Sequence, residues 1–104
     1  MPKRATLVWT RPALDALLDA VRYIKRDKPL AAQRFAALIT TKVGKLEKFP
    51  EAGRLVPEFP ASGLRELVVG EYRIIYRVQQ RRNRVEILTV RHSARLLKRP
   101  IEAP

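Results

Sequence analysis

No cysteine occurs in the 104 residues. Disulfide staples, thiolate metal sites and cysteine nucleophiles are excluded together. Histidine occurs once, at position 92, so a general acid or base working near neutral pH has one imidazole to draw on. Acidic side chains are scarce: 10 Asp and Glu stand against 22 Lys and Arg, a formal net charge of +12. A compact chain with that excess repels itself and attracts polyanions, whether nucleic acid, an acidic membrane surface or an acidic protein. The excess is shared by the two halves of the chain, so it belongs to the fold and is not a detachable tail. No apolar run approaches the length needed to span a bilayer, and the basic start MPKRATLVWT lacks the apolar stretch of a signal peptide. The expectation is a cytoplasmic protein with no membrane partner.

What is present can fold. Hydrophobic residues make up 46% of the chain and charged residues 31%, enough apolar surface to escape disorder by composition. At this length a single domain over residues 1–104 is expected, because two cores would each be too small. Ala5 to Trp9 is short and β-prone, and Thr10 follows as an N-cap with Pro12 in the first turn beyond it. From Pro12 to Asp27, Leu14, Leu17, Leu18, Val21 and Ile24 recur at helical steps. Pro29 opens a second helix, in which Phe35, Leu38, Ile39, Val43, Leu46 and Phe49 keep that spacing as far as Pro50, with Gly44 weakening the last turns. Lys42, Lys45 and Lys48 share another face of it, a solvated stripe or an electrostatic footing for nucleic acid.

Three prolines and two glycines between Pro50 and Gly63 predict a surface loop through which neither helix nor ladder runs. Three strands follow, Leu64 to Val69, Tyr72 to Gln79 and Arg84 to Arg91, joined by Gly70-Glu71 and by a polar turn at 80–83. The order β-α-α-β-β-β predicts an α+β fold, a helical hairpin packed on one face of a small antiparallel sheet.

Alternation along the middle strand sets Tyr72, Ile74, Tyr76 and Val78 on one face and Arg73, Ile75, Arg77 and Gln79 on the other, away from the helices. Arg73 and Arg77 then stand about 13 Å apart, too far to clamp one phosphate, yet able to meet successive anionic groups. The competing reading is that they solvate an open face and pair across the sheet with Glu66 or Glu86. His92 falls at the end of the last strand, with no carboxylate or nucleophile at a telling spacing. The chain offers no glycine-rich phosphate loop, metal-ligand cluster or serine hydrolase arrangement. Neither cofactor nor metal is expected, and an enzyme here would work with cations and one imidazole.

Four runs, in order, carry a wider resemblance: VWTRPALDAL at 8–17, KFPEAGR at 48–54, LREL followed by VVGEYRIIYRV at 64–78, and VEILTVRHSAR at 85–95. In order and spacing they resemble the RelE/ParE superfamily, the toxins of bacterial type II toxin–antitoxin pairs. RelE-like members are ribosome-dependent ribonucleases that cut mRNA, whereas ParE-like members share the fold and inhibit DNA gyrase. By position, Arg73 matches the arginine that RelE-like toxins place on the scissile phosphate, and His92 falls where some ribonuclease members and many ParE-like members carry histidine. The carboxyl end departs from the ribonuclease pattern, because it lacks the terminal tyrosine that stacks on a base.

The resemblance implies a ParE-like toxin that inhibits gyrase and is neutralised by a cognate antitoxin with an acidic carboxyl-terminal segment. Arg65, Arg73, Arg77, Arg91 and Arg95 are the candidate contacts to the target or to nucleic acid. The alternative is a ribonuclease acting with ribosome and mRNA, in which Arg73 and His92 would be catalytic. A non-toxic basic nucleic-acid-binding module is a third reading. Leu96, Leu97 and Ile101 are candidate exposed apolar residues for the antitoxin, unless the tail packs on its own sheet.

Overall fold

A computed structural model describes residues 3–95 and Leu97. Strand β1 spans Thr6–Trp9 and feeds helix α1 at Arg11–Asp27. Thr10 joins the two: its Oγ1 accepts from the Ala13 N–H at 3.3 Å and donates to the Ile87 carbonyl at 2.7 Å. One hydroxyl therefore caps the helix and ties it to a distant strand. The expected apolar stripe of α1 is turned from its actual inward face. Ala13 and Ala20 are buried, Leu17, Val21 and Ile24 pack beside them, and Leu14 and Leu18 remain 42% and 50% exposed. Small alanines let the helix axis approach the sheet, so the larger leucines one step round the helix stay outside.

Helix α2 spans Pro29–Gly44. Lys28 serves both helices, donating its N–H to the Ile24 carbonyl and accepting from the Ala32 N–H. The helical hairpin thus turns on one residue, with Pro29 ready for the second first turn. Helical geometry stops short of Pro50: past Gly44 the chain tightens into a 3-10 turn at Lys45–Glu47. Ala32, Phe35, Ile39, Val43 and Leu46 are buried, whereas Phe49, placed in the core by its spacing, is 63% exposed.

Strand β2, Arg54–Leu55, lies inside the segment expected to hold no ladder. It pairs antiparallel with β3 (Arg65–Val69), which pairs with β4 (Tyr72–Gln79), which pairs with β5 (Arg84–His92). The five strands run in the order β1-β5-β4-β3-β2, and β1 joins β5 in parallel. The helical hairpin on one face is as expected, but the sheet is mixed. Its parity follows from β2: each of the seven elements reverses the chain, so the first and last strands point the same way. Without the short strand the count would be even and the sheet wholly antiparallel.

Gly53 accounts for the placement of β2. A Cβ there would stand 2.6 Å from the Glu66 carbonyl oxygen and 2.7 Å from Tyr76 Oη, and the Gly53 N–H instead donates to that hydroxyl at 2.8 Å. A register shift between Ile75 and Tyr76 places an extra residue, Leu88, on β5. Two apolar clusters result. The larger lies between helices and sheet and includes Phe35, Ile39, Tyr72, Ile74, Tyr76 and Ile87. The smaller lies on the opposite face, where Val56, Leu64 and Leu97, with Phe59 beside them, cover Ile75 and Leu88. Among the described residues no helix is long and apolar enough to cross a membrane.

Candidate functional site

The face of the sheet away from the helices is not open. Residues 56–64 cross it as a strap, and Leu97 from the tail seats in the same cluster. Leu97 is thus buried, as the packing alternative required; Leu96 and Ile101 lie outside the described residues.

Under the strap, Arg73 is 4% exposed. Its Nη1 donates to Glu58 Oε1 at 2.8 Å and Glu66 Oε1 at 3.0 Å, and its Nη2 donates to Glu58 Oε2 and to the Arg95 carbonyl, both at 2.9 Å. All four terminal N–H groups are committed, and Nε has no partner. Glu66, with a fully buried side chain, is held from its other side by Arg54, whose Nη2 lies 2.6 Å from Oε2. The chain Arg54–Glu66–Arg73–Glu58 alternates two cations and two anions, so Glu66, Arg73 and Glu58 are each covered beside an opposite charge, while the Arg54 side chain at its end is 63% exposed. The paired guanidinium holds the Glu58 carboxyl down at about 2, against an ordinary 4.5, with burial opposing and the Leu97 N–H reinforcing the shift. The same pairing raises Arg73 above its ordinary value.

The other sequence-selected residues are distributed over both faces. Arg77 pairs with Glu86 at 2.7 Å and is partly exposed. Cross-strand pairing with Glu66 and Glu86 is therefore realised for both arginines, and the anion-meeting surface expected at Arg73 is replaced by a covered one. Arg91 opposes Arg73 in the register and donates through Nε to the Arg95 carbonyl at 3.2 Å. Two guanidinium groups thereby share one carbonyl, while the Arg95 side chain is exposed. Arg65 points to the helix side and donates to the Gly53 carbonyl at 2.8 Å.

His92 opposes Tyr72 in the β4–β5 ladder, and its ring meets the Tyr72 ring edge-on at 5.3 Å between centroids. It therefore lies on the helix face. Its Nδ1 accepts from the Ala94 N–H at 3.1 Å, and Nε2 stands 3.6 Å from Glu71 Oε2. Arg73 is the next residue along from Tyr72 and projects from the other face. The sheet separates the two residues that a ribonuclease would use together. Among the described residues no group of His, Asp and Glu is placed to hold a metal ion.

Glu58 is the residue that sequence reasoning missed. It lies in the proline-rich segment, and only the structure brings it to Arg73, 15 positions away.

Comparison with known proteins agrees with this architecture. The family model for the ParE toxin of type II toxin–antitoxin system, parDE, matches residues 7–97. A Sinorhizobium fredii protein, "Putative toxin Y4kP", is 39% identical over 92 residues, covering 86% of this chain and 90% of its own. Among solved structures, a chain of the chromosomal ParDE system of P. aeruginosa superposes with a TM-score of 0.71 at 22% identity, over 86% of this chain and 96% of that one. A chain of the RelBE2 toxin–antitoxin complex of Mycobacterium tuberculosis superposes at 0.61 with 26% identity, over 86% and 98%.

Proposed function

The chain belongs to the ParE toxin family of type II toxin–antitoxin systems, and from that premise we propose that it arrests growth by inhibiting DNA gyrase and is neutralised by a cognate antitoxin. The observation that carries the choice of target is the state of Arg73. Cleavage of RNA by attack of a ribose 2′-hydroxyl needs a free cation at the phosphate and a group to move a proton beside it. Here every terminal donor of Arg73 is occupied, and His92 is on the far side of the sheet. A ribonuclease reading would require the strap to leave before chemistry could begin. Inhibition of a protein target needs only a fixed surface, which the buried ion chain helps to fix.

The antitoxin is inferred from charge and from apolar exposure. A net charge of +12 favours an acidic segment through steering and pairing. Leu14 and Leu18 on α1 and Leu30 and Leu38 on α2 are exposed apolar residues on the hairpin, available to the apolar positions of such a segment.

The test is induction of this chain in a bacterial host without an antitoxin, with plasmid supercoiling and mRNA integrity followed in the same culture. The expected result is relaxed or broken DNA with intact mRNA. Fragmented mRNA with normal supercoiling would transfer the assignment to the ribonuclease reading.

A further inference from the structure

The lysine stripe on the second helix is broken up in the fold. Lys42 turns to the sheet edge, where its Nζ reaches the Val68 carbonyl at 3.4 Å. Lys45 and Lys48 instead line a depression of about 270 Å³ with Arg4, Thr41, Gly44, Glu47 and Phe49. On its other side Phe49 borders a second, larger groove with Pro50, Ala52, Val78, Gln80 and Asn83. Asn83 ties these segments together by donating Nδ2 to the Lys3 and Arg4 carbonyls. The turn that supplies Gln80 and Asn83 also carries Arg81 and Arg82, both exposed.

An exposed ring thus borders two hollows, with Arg4, Lys45 and Lys48 lining one and Arg81 and Arg82 carried on the turn that lines part of the other. None of these five cations is within ion-pair distance of a carboxylate among the described residues. In contrast, Arg54, Arg73 and Arg77 on the sheet all have acidic partners. The acidic side chains bordering the hollows are Glu47 and Glu51, and Glu51 is held by the Gln80 amide at 3.1 Å.

We propose that this surface around Phe49 binds single-stranded nucleic acid, with an unpaired base stacked on the Phe49 ring and phosphates on Lys45, Lys48 and Arg4. Stacking on an aromatic ring with cations tracking the backbone is how single strands are held without sequence preference. A duplex keeps its bases inside and has no use for an exposed ring. An acidic peptide would use the cations, but it would meet Glu51 in the apolar groove. The proposal is independent of the gyrase reading, since none of its residues belongs to the Arg73 ion chain and it is read by binding alone.

The experiment is fluorescence anisotropy of the purified chain with a labelled oligothymidine of about 12 nucleotides, as a function of salt, with circular dichroism to confirm that each variant folds. Phe49→Ala is expected to weaken binding at least about fivefold with the salt slope unchanged. Lys45→Glu with Lys48→Glu is expected to lower the slope by about 1.4, roughly 0.7 for each phosphate no longer neutralised. The same charge change at Arg22 and Arg26 on α1 should leave most of the affinity. Equal weakening by both charge pairs would overturn the proposal, because binding would then follow net charge alone. So would a duplex bound as tightly as the single strand, or polyglutamate displacing the oligonucleotide at equal charge concentration.

Discussion

The two faces of the sheet are built from the same five strands by opposite means. Toward the helices, Phe35, Ile39, Ile74, Tyr76 and Ile87 close an apolar core, whose main demand is shape, with the buried Tyr76 hydroxyl met by the Gly53 N–H. Toward the strap, a much smaller apolar cluster shares its space with Glu66, Arg73 and Glu58, with the exposed Arg54 at its margin. Ion pairs at that depth seldom add net stability, because desolvation offsets attraction, but they penalise the loss of one member heavily. The helix face buries apolar surface by shape, and the strap face ties Glu58 to the sheet through charge.

Arg73→Met should be the most damaging change, because it leaves Glu66 fully buried with only Arg54 to hold it. A loss of about 3–5 kcal/mol is expected by chemical denaturation. Adding Glu66→Leu to that variant should recover much of it. No recovery would show that the ion chain stabilises the fold as well as specifying it. On the other face, Ile39→Ala should cost about 2–5 kcal/mol through the cavity it opens, and no second substitution of a polar partner should restore it.

Acid separates the faces further. Glu58 binds its proton at about 2 in the folded chain and near 4.5 otherwise, so between these values the unfolded state holds more protons. Stability from this group is complete above about pH 4.5 and falls as pH drops toward 2. Thermal melts over that window should show a decline that Glu58→Gln flattens, while Ile39→Ala leaves its steepness unchanged. Thr10→Ala, which removes a cap and the tie to Ile87, should cost about 1 kcal/mol. Smallest of all, Arg77→Ala should cost less than about 1 kcal/mol, since that pair is partly exposed and solvent screens it.

Periodicity made the helices, the meander and the alternation along β4 legible, because 3.6- and 2-residue repeats report which face is buried. It misjudged α1, where alanines rather than leucines make the closest approach, and it carried α2 too far, since Phe49 keeps helical spacing after the helix has ended. The strap was illegible for a different reason. Proline and glycine report that regular structure stops, but not where the chain goes next, so neither β2 nor the meeting of Glu58 with Arg73 could be read. The pairing of Arg73 with Glu66 was visible as a cross-strand possibility, and the covered state of that pair was not.

The parallel contact between β1 and β5 bears on how the protein is made. Thr6 pairs with Arg84 and Trp9 with Ile87, so the first of these five strands to be synthesised waits for a partner made some eighty residues later. Until then Thr10 caps α1 without its Ile87 anchor, and the sheet that carries the helices is incomplete. An interrupted nascent chain consequently lacks the finished surface. The helix-bearing sheet therefore closes only after β5 has been made.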